Sequence, residues 1–298
     1  MIDVHEFDGW EKYEGLSEGS GRSEKIWLQS PNERIGLFKF PKVDENGNVS
    51  STEYISEHMA SRLGKVLEVP TADVDIGYRN GRIGCMSHLI SSDIEEGINY
   101  ISRKYPMFDS KRLEVPDEGL YYCLDMIKNS MEDVLPHDWF VPMLVFDFLI
   151  GNSDRHQSNW AVLKTGNGKK SLCPLYDNGS SLCSFVRDKD LISLKNDKLM
   201  FEALVGSKSR SCIRIDGREK KMPTHDSVIR YLVKNNSYAQ DYVVYFIDRI
   251  KGVDIQEMLD EYPSDILSDG KKEIIAAFLR EKLKRLNYIR MEESHGKG

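Results

Sequence analysis

Asp154 and Asn159 stand five residues apart in "GNSDRHQSNWAVL" (151–163), and Asp177 follows eighteen residues later in "PLYDNGSS". Two carboxylates and an amide are hard oxygen donors. Phosphoryl transfer needs one carboxylate to orient an attacking hydroxyl, and a second carboxylate with an amide to hold magnesium against nucleotide phosphates. It also needs a cation on those phosphates. Lys39 in "GLFKFPK" lies inside an apolar run, where an ammonium without a partner is costly. Its partner is expected on the next helix, where Glu53 and Glu57 sit one turn apart on one face. Gly15, Gly19 and Gly21, with Ser20 between the last two, precede the first strand-like run, and such a loop can offer backbone N–H groups to phosphate. A lone D-x-x-x-x-N recurs by chance. The alternative for the whole stretch is a helix end followed by a solvated turn.

The elements that must carry these residues change character along the chain. "SEKIWLQ" and "RIGLFKF" predict a hairpin joined by "SPNE", and the stripe Tyr54, Ile55, Met59, Leu63 predicts a helix stopping at Gly64. "TADVDIGY" and "RIGCMSHLI" flank "RNG", a second hairpin signal. Residues 91–117 read as a connection or insertion. Beyond them helical patterns cover 118–130, 132–151, 225–236, 239–251 and 271–290, with a short β-hairpin in 159–177.

An Asp and an Asn five apart on a loop after an apolar helix, with an Asp after the following hairpin, is the order used by protein kinases. The fold expected is therefore α+β and two-lobed, protein-kinase-like: a small β-rich N-lobe over 1–90 and a larger helical C-lobe over 91–298. ATP would lie between them, with the adenine edge on the backbone of "MSHL", around His88 and Leu89. His156 is read as a residue that holds the loop, and Arg155 as half of a structural ion pair or as a partner for a phosphorylated loop. Trp139 and Trp160 are read as core anchors. The basic stretch "GSKSRSCIRIDGREKK" (206–221) is read as a solvated loop, with contact to an acidic substrate as the alternative.

Composition narrows the classes. Of 298 residues, 41 are basic and 48 acidic, for a net charge of −7, which argues against general electrostatic binding to nucleic acid or to an anionic membrane. Five scattered cysteines without a C-x-x-C pair indicate neither a zinc site nor a disulfide framework. The acidic, aromatic N-terminus does not read as a signal peptide, and the apolar run 139–150 is too short to span a bilayer. A cytoplasmic protein is expected, with secretion independent of a signal peptide left open.

Together "GNSDRHQSNWAVL", "PLYDNGSSL", "KFP", "STEYISEHMASRLG" and "EVP" resemble the HipA-like serine/threonine kinases over roughly residues 15–185. The resemblance implies ATP and Mg2+ as cofactors, Asp154 as catalytic residue, Asn159 and Asp177 as metal ligands, and Lys39 on ATP phosphate. Its helix pattern falls on Glu53, while helix geometry keeps Glu57 as the competing choice. It further implies a protein substrate with a Ser or Thr acceptor, an aminoacyl-tRNA synthetase in some members, and autophosphorylation in the phosphate-binding loop in others, here at Ser20 or Ser23. An antitoxin partner is a family possibility. The chain starts too close to its Gly-rich loop for the additional N-terminal subdomain of the toxin-type members, which points to a compact member. Lacking the family's arginine-containing stretch at "CMSHLIS", it does not inherit a substrate. Three other readings stay open: a phosphoinositide-type lipid kinase, which uses a similar D-R-x-x-x-N loop, a nucleotide-binding adaptor without catalysis, and a helical interaction protein in which the hexapeptide is only a turn.

Overall fold

The computed structural model describes residues 1–16, 24–47, 49–166 and 168–295, the side chains of 294–295 excepted. Strands β1 (Val4–Glu6), β2 (Glu11–Lys12), β3 (Lys25–Gln29) and β4 (Ile35–Lys39) precede helix α1 (Glu53–Leu67), and β5 (Val74–Arg79) and β6 (Arg82–His88) follow it. They form one six-stranded sheet in the order β1-β5-β6-β4-β3-β2, antiparallel except where β1 runs beside β5. Both expected hairpins are present. In the second, Asn80 and Gly81 take φ of 50° and 68°, the left-handed pair that a two-residue turn requires.

Helix α1 runs past Gly64 to Leu67 and ends on Glu68 in the left-handed region. Gly64 is instead where the returning chain crosses the helix: a Cβ there would sit 2.3 Å from Thr71 Oγ1. The stretch read as a connection holds β7 (Ile94–Glu96), α2 (Gly97–Lys104) and β8 (Glu114–Val115). The pattern at 118–130 divides into β9 (Leu120–Tyr121) and α3 (Leu124–Ser130). The pattern at 132–151 yields helix only in α4 (Phe140–Ile150), because Pro136 disfavours helical backbone before it and residues 131–139 close as turns. Strands β10 (Ala161–Lys164) and β11 (Lys170–Leu172) form the expected hairpin and pair on with β7. Helices α5 (Asp188–Asn196) and α6 (Lys198–Val205), which no periodicity announced, precede α7 (His225–Asn235), α8 (Ser237–Ile250), α9 (Ile255–Asp260) and α10 (Asp269–His295).

The basic stretch 206–221 is not a solvated loop throughout. Ser209, Ser211, Cys212, Ile213 and Arg214 are buried, and the Arg214 guanidinium donates to the Lys220 carbonyl at 3.0 and 3.1 Å.

One apolar core runs from Ile76, Cys85 and the inner face of α1 through α4 to α7, α8 and α10. The opposite face of the sheet carries a smaller cluster, Phe7, Leu28, Phe38 and Met86. Each fully buried side chain of this size contributes about 1.5–3 kcal/mol, so the buried face of α1 ties the sheet to the helical part. Among the described residues no helix is long and apolar enough to cross a membrane.

Candidate active site

Strand β4 delivers Lys39 and α1 delivers Glu57 to a cavity of about 280 Å³, where the segments after α4 and β11 add Asp154, His156 and Asp177. The Lys39 ammonium is held between two carboxylates, Glu57 and Asp177, the latter at 2.8 Å. Burial works against the ammonium, but Asp177 and Glu57 outweigh it and hold Lys39 well above its ordinary pKa. The Lys39 charge in turn keeps the Asp177 carboxyl well below the usual carboxylate range. Glu57 uses its other oxygen to accept the Asn178 N–H at 2.9 Å, so one side chain clamps both the strand lysine and the loop carrying Asp177.

Glu53 takes a different place. It pairs with Lys42 at 2.9 Å on the rim of the same cavity, and the Lys39 partner is Glu57. Helix geometry puts both on one face, and the docking of α1 against the sheet decides between them: Glu57 is buried while Glu53 is one turn nearer solvent.

The loop 151–160 is tied to α4 by a residue pair whose acidic half the sequence reading did not single out. Asp147 is 1% exposed inside the apolar α4 and receives Arg155, also buried, at 2.8 Å. All five N–H groups of the guanidinium are spent: Nε and one Nη2 proton on Asp147, two Nη1 protons on the Asn159 and Tyr176 carbonyls at 2.7 and 2.8 Å, and the last on Asn178 Oδ1 at 2.6 Å. Arg155 is thus a structural ion pair that also holds the loop to the Asp177 segment. The signal in the sequence was a single acid inside an apolar run, eight residues before an arginine.

Asp154 is exposed at the cavity wall, with its backbone fixed on both sides: its N–H donates to Asn152 Oδ1 at 3.1 Å and its carbonyl accepts from Asn159 Nδ2 at 2.8 Å. The surrounding walls strip part of its hydration and, with the charge of Asp177, raise its carboxyl above the ordinary value against the pull of His156. His156 accepts the Ser158 N–H on Nδ1, which puts the ring proton of the neutral form on Nε2. Trp160 is fully buried, donates to Tyr122 Oη at 2.8 Å and packs on Trp139.

A divalent cation suits the donors present. The Asp177 side chain is 48% exposed to the cavity, and Asn159 uses its amide nitrogen on Asp154, which leaves its amide oxygen available. Asn159 itself is buried behind the cavity lining. Among the remaining candidates, His88 and Leu89 lie outside that lining: His88 Nε2 pairs with Asp75 at 2.6 Å and the Leu89 N–H donates to the Ile35 carbonyl. Gly19, Ser20, Gly21 and Ser23 lie outside the described residues.

Far along the chain, α7 and α10 support the same loop. His225 is buried, with Nε2 donating to the Asn152 carbonyl at 2.9 Å and Nδ1 accepting from Ser209 Oγ, which in turn accepts from the buried Lys282 at 2.9 Å. Burial and the nearby Lys282 charge lower the His225 pKa from 6.5 to about 3. The folded protein therefore keeps His225 neutral where the unfolded chain already binds a proton. Its contribution is constant above about pH 6.5 and falls by about 1.4 kcal/mol per pH unit as pH drops toward 3. We expect the melting temperature to decline from pH 7 to 5, and the decline to be shallower in His225→Gln. Equal slopes in the two proteins would remove His225 as the cause.

No family model matches the chain. It is 25% identical over 279 residues to the serine/threonine-protein kinase CtkA of Helicobacter pylori (strain J99 / ATCC 700824), covering 90% of this chain and 82% of that protein. The crystal structure of the H. pylori proinflammatory kinase CtkA superposes with a TM-score of 0.80 at 18% identity, over 97% of this chain and 99% of that one. HipA of Shewanella oneidensis MR-1, in a toxin–antitoxin complex with HipB and operator DNA, gives a TM-score of 0.50 at 17% identity, over 92% of this chain and 65% of that one. The two structures show the two-lobed kinase-like α+β fold. In sequence the chain is similar to CtkA, a serine/threonine-protein kinase, and in fold it is similar to both CtkA and HipA.

Proposed function

We propose that the protein is an ATP- and Mg2+-dependent serine/threonine protein kinase, with an N-lobe over residues 1–90, a C-lobe over 91–298 and the nucleotide between them. The observation that carries this reading is the convergence of Lys39, Glu57, Asp177 and Asp154 on one cavity from four separate segments. Lys39 exchanges Asp177 for phosphate oxygens when the nucleotide enters, while Glu57 keeps the ammonium aimed and anchored. The Asp177 carboxylate and the Asn159 amide oxygen would hold magnesium, which would supply neutralisation of phosphate charge. Asp154 accepts the hydrogen bond of a Ser or Thr hydroxyl and orients it for in-line attack on the γ-phosphorus, the bond to the bridging oxygen breaking as the new one forms. Positioning and charge neutralisation supply the rate. Ser20 and Ser23 stay candidate self-acceptors on sequence grounds. A HipB-like antitoxin rests on the likeness to HipA alone.

The test is incubation of the protein with γ-labelled ATP and Mg2+, with and without added protein acceptors, followed by intact-mass analysis. Phosphate on Ser or Thr is the expected result. Asp177→Asn should lose the magnesium-dependent part of the rise in melting temperature with ATP. No transfer and no melting shift would leave the cavity without a nucleotide role.

A further inference from the structure

Beside the cavity, on the far side of Ser180, lies a second groove of about 230 Å³. Ser180 lines both, and Ser153, the residue before Asp154, lines the second. We propose that this groove is the acceptor-peptide subsite, taking an apolar side chain close in sequence to the phosphorylated Ser or Thr, in a peptide that is acidic or neutral rather than basic. The proposal rests on the kinase reading above and adds the substrate class.

Four observations carry it. The walls are apolar: Phe185, Val186, Leu204 and Phe278. Phe185, in the lining of this groove, is 54% exposed, and the ammonium of Lys42, which lines the first cavity, lies over its ring at 5.3 Å. The groove also holds an unmet polar group, because the Ser184 hydroxyl is buried and makes no hydrogen bond among the described residues. The hydroxyl is closed off from the empty groove, so a peptide backbone meets it only once the Ser184 side chain turns toward the groove. Finally, the charged group in the lining is Lys208, and no carboxylate accompanies it among the described residues, so a basic side chain would find no counterion here and an acidic one would find Lys208.

The wall is built to hold its shape. Leu182 and Cys183 take φ of 47° and 59°, a conformation that non-glycine residues adopt only when it is enforced. Here the Leu182 N–H donates to the Ile150 carbonyl, the Ser153 N–H to the Ser180 carbonyl, and the buried Lys271 of α10 to the Cys183 and Val186 carbonyls. A rigid, part-apolar concavity one residue from Asp154 fits recognition of a side chain better than it fits solvent.

Positional-scanning Ser/Thr peptides, phosphorylated by the full chain with γ-labelled Mg-ATP, test this. The wild type should select Leu, Ile, Val or Met at one position near the acceptor and reject Lys and Arg there. Leu204→Lys should lower kcat/KM for the selected peptide by roughly ten-fold or more and bring Asp or Glu into favour at that position. The KM for ATP and the Mg-ATP melting shift should stay unchanged. Should Leu204→Lys fail to fold, Phe185→Ser, at an exposed ring, should still weaken the apolar preference. Transfer without any side-chain preference, or a preference unmoved by either folded variant, overturns the subsite and leaves the kinase standing. Absence of transfer to any hydroxyl, its own included, overturns both.

Discussion

Asp154→Ala is expected to lower phosphoryl transfer by roughly 10²- to 10⁴-fold, the range found for loss of a positioned acid or base, while ATP still raises the melting temperature with Mg2+ present. The separation follows from which atoms do what. Loop geometry is held by the Asp154 backbone, through Asn152 Oδ1 and Asn159 Nδ2, and by Arg155 next to it, so removing the carboxylate leaves every loop hydrogen bond in place. The groups expected on phosphate and metal, Lys39 and Asp177, pair with one another and with Glu57, not with Asp154. Single-turnover transfer with labelled ATP, beside a melting curve, reads both quantities. Activity equal to wild type would remove Asp154 from the reaction, and loss of the melting shift would mean that it serves binding instead.

Asp147→Ala should be the most destabilising single change in the site. It leaves the Arg155 guanidinium, 1% exposed, without its counterion, a loss of about 3–5 kcal/mol in comparable buried pairs. The melting temperature should fall by roughly five to eight degrees. The double variant Asp147→Leu/Arg155→Met should recover much of that loss, because two apolar side chains can fill the space without a stranded charge. It should not recover activity, since the Asn159, Tyr176 and Asn178 oxygens lose the donor that ties the two loops together. Recovery of both would make the pair a packing element only.

What the sequence made legible were the features encoded locally. "RNG" specifies its turn by the conformations of two residues, and the Lys39 strand and the Asp154 loop are marked by polar groups set against apolar runs. The choice between Glu53 and Glu57 is not local. Both lie on one helix face, and only the docking of α1 against β5 and β6 buries one and leaves the other on the rim. Helices α5 and α6 went unseen because much of their surface is solvated, Ile192 and Leu199 included, so little apolar periodicity remains. The segment 206–221 misled for the opposite reason: its charges are met by backbone carbonyls, as at Arg210 with Met222 and Arg214 with Lys220, which composition does not reveal. His225 and Lys282 gave no signal at all, being remote in sequence from the loop they hold.

That remoteness sets an order on the protein's own synthesis. The Asp154 loop leans on His225, which leans on Ser209, which leans on Lys282, and the segment after Asp177 leans on Lys271. Each support is translated after the part it steadies. A nascent chain that has already exposed Asp154 and Asp177 still lacks α10, whose Lys282 and Lys271 support their segments, and contacts of such long range close late in folding. Until α10 has emerged, the Asp154 loop and the segment after Asp177 therefore stand without these supports.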